Sequence, residues 1–444
     1  MHVIIIGAGP AGLAAALALH KQQQSESKFN RSSESLAPFC ITILELRPNI
    51  ETGTQLGGAI NLTPLALRYL DALGVGEKLR PLGCKVSGID FLSHRSGVSL
   101  GKMWPDFDSL RVARHDVVES MARKVLETSE QSEAGRVSIR YGVKVTKIEE
   151  SGSAGSSEGC VKVSYFQNGE PDGKILEGDV LLGCDGIHSF VRSTYVDPAR
   201  EKRYSGRGGA YSYVTVDKPG DAGVLLRDGQ PAVKDSSMTM GPKGSLLTTF
   251  CEPSKTKLYI AAVLNDTAEV WKDQASKDGR RATGAETEIL KQDLLNRFSG
   301  SELVGLDELV AKCEEWFFFP VFMLPPGGIW SRGRILLLGD AAHAMPPMGE
   351  STGVAIEDAV LLAHVLSRRG ERSVKKLFDD YEGLRRDVIA QTYKETVALW
   401  GDASEWSSFK SVMIDWLMWV IVLFINRGGK STFARDVRLL SLPA

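Results

Sequence analysis

Residues 2–20 constrain the fold of this 444-residue chain more than any other stretch. His2 to Ile6 is a short apolar run of strand type. Gly7-Ala8-Gly9-Pro10-Ala11-Gly12 follows, and then the alanine- and leucine-rich segment Leu13 to His20, of helical type. This is G-x-G-x-x-G with a strand before it and a helix after it, the context in which the pattern binds a dinucleotide. The glycines let the backbone turn sharply and approach a pyrophosphate, which then sits on the helix N-terminus. A chance glycine-rich turn is the alternative, and the flanking elements weigh against it. The first expectation is therefore an α/β, Rossmann-like domain.

The second strand, Cys40 to Leu44, ends in Glu45, an acid suited to the ribose hydroxyls of an adenosine. Glu45 follows Gly12 by 33 positions, more than the usual ~20. The polar segment Gln22 to Ser35 reads as a surface insertion that accounts for the excess, since loop length costs little. Gly57-Gly58-Ala59-Ile60-Asn61-Leu62-Thr63-Pro64 is a small-residue turn entering a helix, with Thr63 as N-cap and Pro64 at N1. Gly57 and Gly58 either admit a flat ring close to the backbone or simply form a turn. Arg114, near the start of a later helix, is placed for a phosphate or is an ordinary surface arginine.

Two further strand ends carry an acid. Val180 to Cys184 is followed by Asp185-Gly186, and Ile335 to Leu338 by Gly339-Asp340. Open α/β sheets bind ligands at the carboxyl ends of their strands, so two such acids fit one extended dinucleotide. After Asp340 come Pro346, Pro347 and a small-residue turn, Gly349-Glu350-Ser351-Thr352-Gly353, which opens the next helix and offers it an unpaired N-terminus.

From Tyr204 to Leu324 short alternating segments predict an antiparallel sheet, with one helix near Thr287 to Phe298. Trp316, Phe317, Phe318, Phe319 and Phe322 crowd one strand-like run, half core and half available to wall an apolar pocket. The expected division is 1–82, 101–203 and 325–400 as a discontinuous nucleotide-binding domain, 83–100 and 204–324 as a substrate-binding sheet domain, and 401–444 as a helical tail. Trp416 to Ile425 is apolar throughout but shorter than the ~20 residues that span a bilayer. It reads as a helix docked on the protein or lying in a membrane interface. A net charge of −2 gives no footprint for nucleic acid. The six cysteines form no C-x-x-C pair, and the histidines show no metal-binding spacing, so a cytoplasmic setting and no metal are expected.

These motifs, in this order, resemble the single-component FAD-dependent aromatic hydroxylases and epoxidases, flavoprotein monooxygenases of the para-hydroxybenzoate and salicylate hydroxylase type. The match covers Val3–Leu19, Gly183–Arg192 and Gly333–Ala359, and the apolar tail is similar to those of fungal secondary-metabolism members. The resemblance implies non-covalent FAD, with NADPH or NADH as a transient co-substrate. It also implies O2, activated as a flavin hydroperoxide, and a small hydrophobic aromatic or polyketide-like substrate. Epoxidation of a prenyl alkene and flavin binding without hydroxylation are the alternatives. Gly7, Gly9 and Gly12 would hold the pyrophosphate, Glu45 the ribose and Arg114 the phosphate or ribityl region. Gly58, Ala59, Asp185, Asp340 and Gly353 would complete the FAD site. Arg207 and Tyr213 are the expected catalytic side chains in the sheet domain. Glu350 departs from the family's usual G-Q-G-A-N and puts a carboxyl near the flavin ring.

Overall fold

The computed structural model describes residues 1–29, 37–51, 57–131, 137–152, 159–170, 172–215, 226–227, 230–231, 236–265, 280–299, 306–400 and 408–443. Its central sheet has six strands in the order Ser331–Arg332, Ile335–Leu337, Val180–Gly183, His2–Ile6, Cys40–Leu44, Val137–Arg140. Neighbours from Ile335–Leu337 onward run parallel, and the short first strand is antiparallel to its partner. Val3, Ile4 and Ile5, and likewise Leu336 and Leu337, are fully buried. Such continuous apolar strands belong to a sheet covered on both faces. Pro10–Phe29 and Arg114–Gln131 pack on it, and Ser351–Leu366 packs on Pro10–Phe29.

The first helix runs on to Phe29, so the first part of the expected insertion is helical; residues 30–35 lie outside those described. Gln and Glu are good helix formers, and Glu26 is held by Arg369 at 2.8 Å. Thr63 caps Pro64–Ala72 by accepting from the Ala66 N–H, with the proline in its first turn, as the sequence predicted.

The second large sheet has eight strands in the order Arg280–Arg281, Phe317–Met323, Arg203–Thr215, Lys257–Asn265, Gly244–Phe250, Ser236–Gly241, Ile89–Ser93, Ser99–Met103. All pairs are antiparallel except Ser236–Gly241 with Ile89–Ser93. One face packs on Gly284–Arg297 and Leu306–Lys312 through Ala210, Ile260, Leu290, Leu309 and Phe318. The other bears Tyr211, Tyr259 and Phe317, packed with Ala59, Tyr213 and Phe319. The expected 83–100 segment is divided between sheets. Cys84–Val86 joins Ser109–Ala113 and Ala59–Leu62 in a small sheet, whereas Ser99–Met103 continues the large one past residue 100.

The tail contains the helix Ser408–Ala434, laid along the edge strand Ser99–Met103. Covering an edge in this way protects its unpaired backbone groups. Asp415 accepts from the Ser93 hydroxyl at 2.7 Å, and the Asn426 amide bridges the Trp104 N–H (2.6 Å) and the Lys102 carbonyl (3.0 Å). Beyond the helix, Arg435 pairs with the buried Glu357 of Ser351–Leu366. No helix among the described residues is long and apolar enough to cross a membrane.

Candidate functional site

The glycine-rich turn joins the first strand to the first helix with almost no clearance. A Cβ on Gly12 would stand 2.0 Å from the Gly7 carbonyl oxygen, while one on Gly9 would meet nothing within 4 Å. Gly12 therefore sets the approach of helix to strand, and Gly9 borders open space at the helix N-terminus. Glu45 closes one side of the turn. Its Oε2 accepts from the Ala8 N–H at 2.6 Å, and its Oε1 from the Arg47 backbone and Nε. Burial opposes its charge, but Arg47 and these N–H groups outweigh that and hold the carboxyl below the usual range. Arg47, absent from the sequence reading, also donates to the Ala8 carbonyl. Its only signal was its place two residues past the strand-end acid.

The strand end at Gly339-Asp340 meets this turn. Gly339 adopts φ +60°, a conformation that favours glycine, and a Cβ there would lie 3.2 Å from Ala11 and 3.3 Å from Ala355. Asp340 then starts the short helix Asp340–His343. Asp340 and Arg114 both present surface to solvent. Even so, desolvation is the main influence on each, raising the Asp340 carboxyl and lowering the Arg114 guanidinium, and each feels the other's charge. Solvent-exposed area within dense surroundings is what the wall of a deep cleft looks like. Among the described residues neither side chain is engaged by a hydrogen bond or ion pair, so both are available to a ligand. A glycine turn open at Gly9, a ribose-type acid and an opposed Arg/Asp pair in one cleft fit a dinucleotide such as FAD.

Gly58 lies under the sheet domain, where a Cβ would meet the Tyr259 hydroxyl at 2.4 Å. The Gly58 carbonyl accepts from the Arg114 N–H at 3.0 Å, and that of Gly57 from the Tyr213 hydroxyl at 3.2 Å. Ala59 packs with Tyr259 against the aromatic wall. Tyr211 stacks on Phe317 with ring centres 5.0 Å apart, and Tyr213 and Tyr259 lie 5.1 Å apart. Gly353 falls inside the first turn of Ser351–Leu366, buried against Ala66 and Thr63. Burial and the neighbouring Glu395 raise the Glu350 carboxyl to about 7, with Arg435 opposing. Near neutral pH it is thus partly protonated, which softens the charge conflict its sequence position suggested.

Two expected residues have other partners. Asp185 adjoins Gly7 but turns its carboxylate to its own chain, accepting from the Ser189 hydroxyl at 2.5 Å and the Val191 N–H at 3.1 Å. Arg207 is buried, donates to the Trp400 carbonyl at 2.6 Å and lies over the Trp400 ring. It ties the sheet to the helix Val374–Trp400, while Tyr213 stands at Gly57. Arg207 and Tyr213, both on Arg203–Thr215, thus have different partners.

The structure also contains a buried charge network that the sequence reading missed. Asp358 accepts from the Gly339 N–H (2.9 Å), His343 Nε2 (2.8 Å) and Arg385 Nε (2.6 Å). Arg385 also holds Glu357 and the Val354 carbonyl, and Arg435 caps Glu357. Burial would raise the Asp358 carboxyl, but His343 and Arg385 outweigh it and hold it at about 2. The adjacent acids Glu357 and Asp358 inside an otherwise apolar helix were the available signal.

Residues 1–278 and 328–396 match the FAD binding domain family. The chain is 26% identical to phenazine 1,6-dicarboxylic acid hydroxylase PhzS of Lysobacter antibioticus, over 86% of each protein. It is 27% identical to 3-hydroxybenzoate 6-hydroxylase of Polaromonas naphthalenivorans, over 88% of this chain and 84% of that protein. The fold matches the crystal structure of Klebsiella pneumoniae HpxO complexed with FAD and uric acid, with a TM-score of 0.72 and 20% identity over 98% of this chain and 97% of the other. With the cleft's geometry, these findings place the protein: the chain belongs to the FAD binding domain family and is an FAD-dependent monooxygenase that draws on NAD(P)H.

Proposed function

We propose that the enzyme hydroxylates a hydrophobic aromatic or polyketide-like secondary metabolite. The observation that carries this reading is the wall of Tyr211, Tyr213, Tyr259, Phe317 and Phe319 facing Gly58 and Ala59. Such a wall suits a flat ring, by offset or edge contact. The names of the two relatives supply aromatic acids as a substrate class. When bound, FAD supplies electron transfer from NAD(P)H and activation of O2. The residues of the chain would hold it: Gly7, Gly9 and Gly12 would receive the pyrophosphate, Glu45 the ribose, and Arg114 and Asp340 the phosphate-to-ribityl region, with Asp185 behind the turn. The N-terminus of Ser351–Leu366 would face the ring and favour negative charge there. Epoxidation of a prenyl alkene is the second reading, and the apolar tail favours it. The test is turnover of candidate aromatic compounds with NAD(P)H under labelled O2. The proposal expects substrate-stimulated NAD(P)H oxidation and one labelled oxygen on a ring. Oxygen derived from water, or oxidation that no aromatic compound stimulates, would contradict it.

The tail helix supports peripheral contact with a membrane. Trp416, Leu417, Trp419, Leu423 and Phe424 are exposed on it, beside the exposed Arg427. Paired tryptophans with a basic flank suit the lipid interface. Sedimentation with phosphatidylserine vesicles should carry down the full-length protein, and the double change Trp416→Ser, Trp419→Ser should release most of it. Wild type left in the supernatant would rule the idea out.

A further inference from the structure

Arg111 lies in the middle of Ser109–Ala113 and is 4% exposed. Its neighbours in the small sheet are Asn61 on one side and Cys84 on the other. Alternation along the strands puts Ala59, Asn61, Arg111 and Ala113 on one face and Leu62, Leu110 and Val112 on the other. The second set belongs to the main core, whereas Ala59 packs on the aromatic wall. Arg111 and Asn61 therefore share the face turned to that wall. Asn61 also lies beside the ring-end turn, its Cβ 3.5 Å from where a Cβ on Gly349 would stand.

Both side chains are incompletely satisfied. Arg111 Nε and Asn61 Oδ1 are buried with no hydrogen-bond partner, and among the described residues Arg111 has no counterion. The groups whose charge it feels are Tyr259, Cys251 and Cys84, and burial pushes the first two further from ionisation. Of the acids whose charge the neighbouring Cys251 feels, Glu252 accepts from the Thr256 hydroxyl at 2.6 Å and Asp116 is paired with His115 at 3.1 Å. An unpaired guanidinium out of water is costly, and native structures rarely keep one without a use. Arg207, the arginine expected to meet a substrate, is already committed to Trp400.

We propose that Arg111 and Asn61 form a subsite for an aryl carboxylate, the guanidinium pairing with the carboxylate and the Asn61 amide bonding its oxygen or an adjacent hydroxyl. The ring would lie on the wall formed by Tyr211, Tyr259 and Phe317, which places an aromatic acid with its charged end toward the small sheet. Guanidinium and carboxylate match in shape as well as charge. This assignment rests on the monooxygenase reading above and narrows its substrate class.

The test titrates the FAD-loaded enzyme with 2-naphthoate and with its uncharged analogue 2-naphthamide, following the flavin absorbance. Wild type should bind the acid at least tenfold more tightly than the amide. Arg111→Met should abolish that preference while keeping FAD and a thermal midpoint no lower than wild type, because it removes an unpaired buried charge. Arg111→Lys should keep part of the preference. An absent preference in wild type, a preference that survives Arg111→Met, or a lowered midpoint in that variant would overturn the subsite. NAD(P)H oxidation by the wild-type holoenzyme separates the two levels. An enzyme that oxidises NAD(P)H yet ignores the carboxylate contradicts the subsite alone, and one that oxidises none contradicts both.

Discussion

Arg385→Met is expected to destabilise the protein by about 3–5 kcal/mol, the usual cost of removing one partner from a buried ion pair. Methionine preserves most of the volume, so the loss reports charge more than cavity. Arg385 is 1% exposed and is the cation facing both Glu357 and Asp358, which are fully buried. Without it, among the described residues, Asp358 keeps His343 and the Gly339 N–H, and Glu357 keeps Arg435 and the Tyr69 hydroxyl. The adjacent Arg386 pairs with Glu382 at the surface, so Arg386→Met should cost about 0–1 kcal/mol. The pH dependence should change sign between wild type and variant. In wild type the Asp358 carboxyl is depressed to about 2, so its contribution is present above the unfolded value of about 3.9 and lost as pH falls through the folded value. In Arg385→Met the stranded carboxyls rise above their unfolded values, so the variant should gain stability as pH falls toward 5. Thermal melts at pH 5 and pH 8 check both points, and a melt close to wild type at pH 8 would remove the network from the account.

Gly12→Ala is the second large effect, and its pairing with Gly9→Ala makes it informative. At Gly12 the new methyl would meet the Gly7 carbonyl at 2.0 Å, Ile5 Cγ2 at 3.1 Å and Cys184 Cβ at 3.3 Å. The first is backbone and cannot rotate away, so the helix must leave the strand. Overpacking of this kind costs about 1–3 kcal/mol, and the displaced helix start should lower FAD affinity by at least the matching ten- to hundredfold. At Gly9 the same methyl meets nothing within 4 Å, so the apoprotein should melt like wild type while FAD binding falls. Apoprotein melting and flavin titration of the two variants separate fold from ligand. Gly9→Ala binding FAD as tightly as wild type would mean that the pyrophosphate lies elsewhere.

What could be read from the sequence divides along the range of the interactions. Strand, glycine turn and helix in residues 2–20 are local, as are the Thr63–Pro64 helix start and the aromatic strand Phe317–Met323, and the structure has them as expected. The end of the first helix was missed because propensity and the Glu26–Arg369 pair extend it through a polar stretch that reads like a loop. Among the described residues the Asp340 carboxylate has no hydrogen-bond partner, whereas Asp185, with the same strand-end signature, spends its own on Ser189 and Val191. No local rule separates those two outcomes. Arg207 and Arg111 make the same point in the sheet domain. A partner nearly two hundred positions away, Trp400, decides the first, and the lack of a counterion among the described residues marks the second. The Arg385 network was out of reach because it joins two helices and the tail, although its acids stood out in an apolar helix.

The most direct measurement of the central claim is the flavin content of the purified protein, read from the absorbance of cofactor released by denaturation after incubation with FAD. The account predicts a yellow protein that releases about one equivalent of free, non-covalent FAD per chain. A folded protein that takes up no flavin, or that holds it only after denaturation exposes other surface, would contradict it.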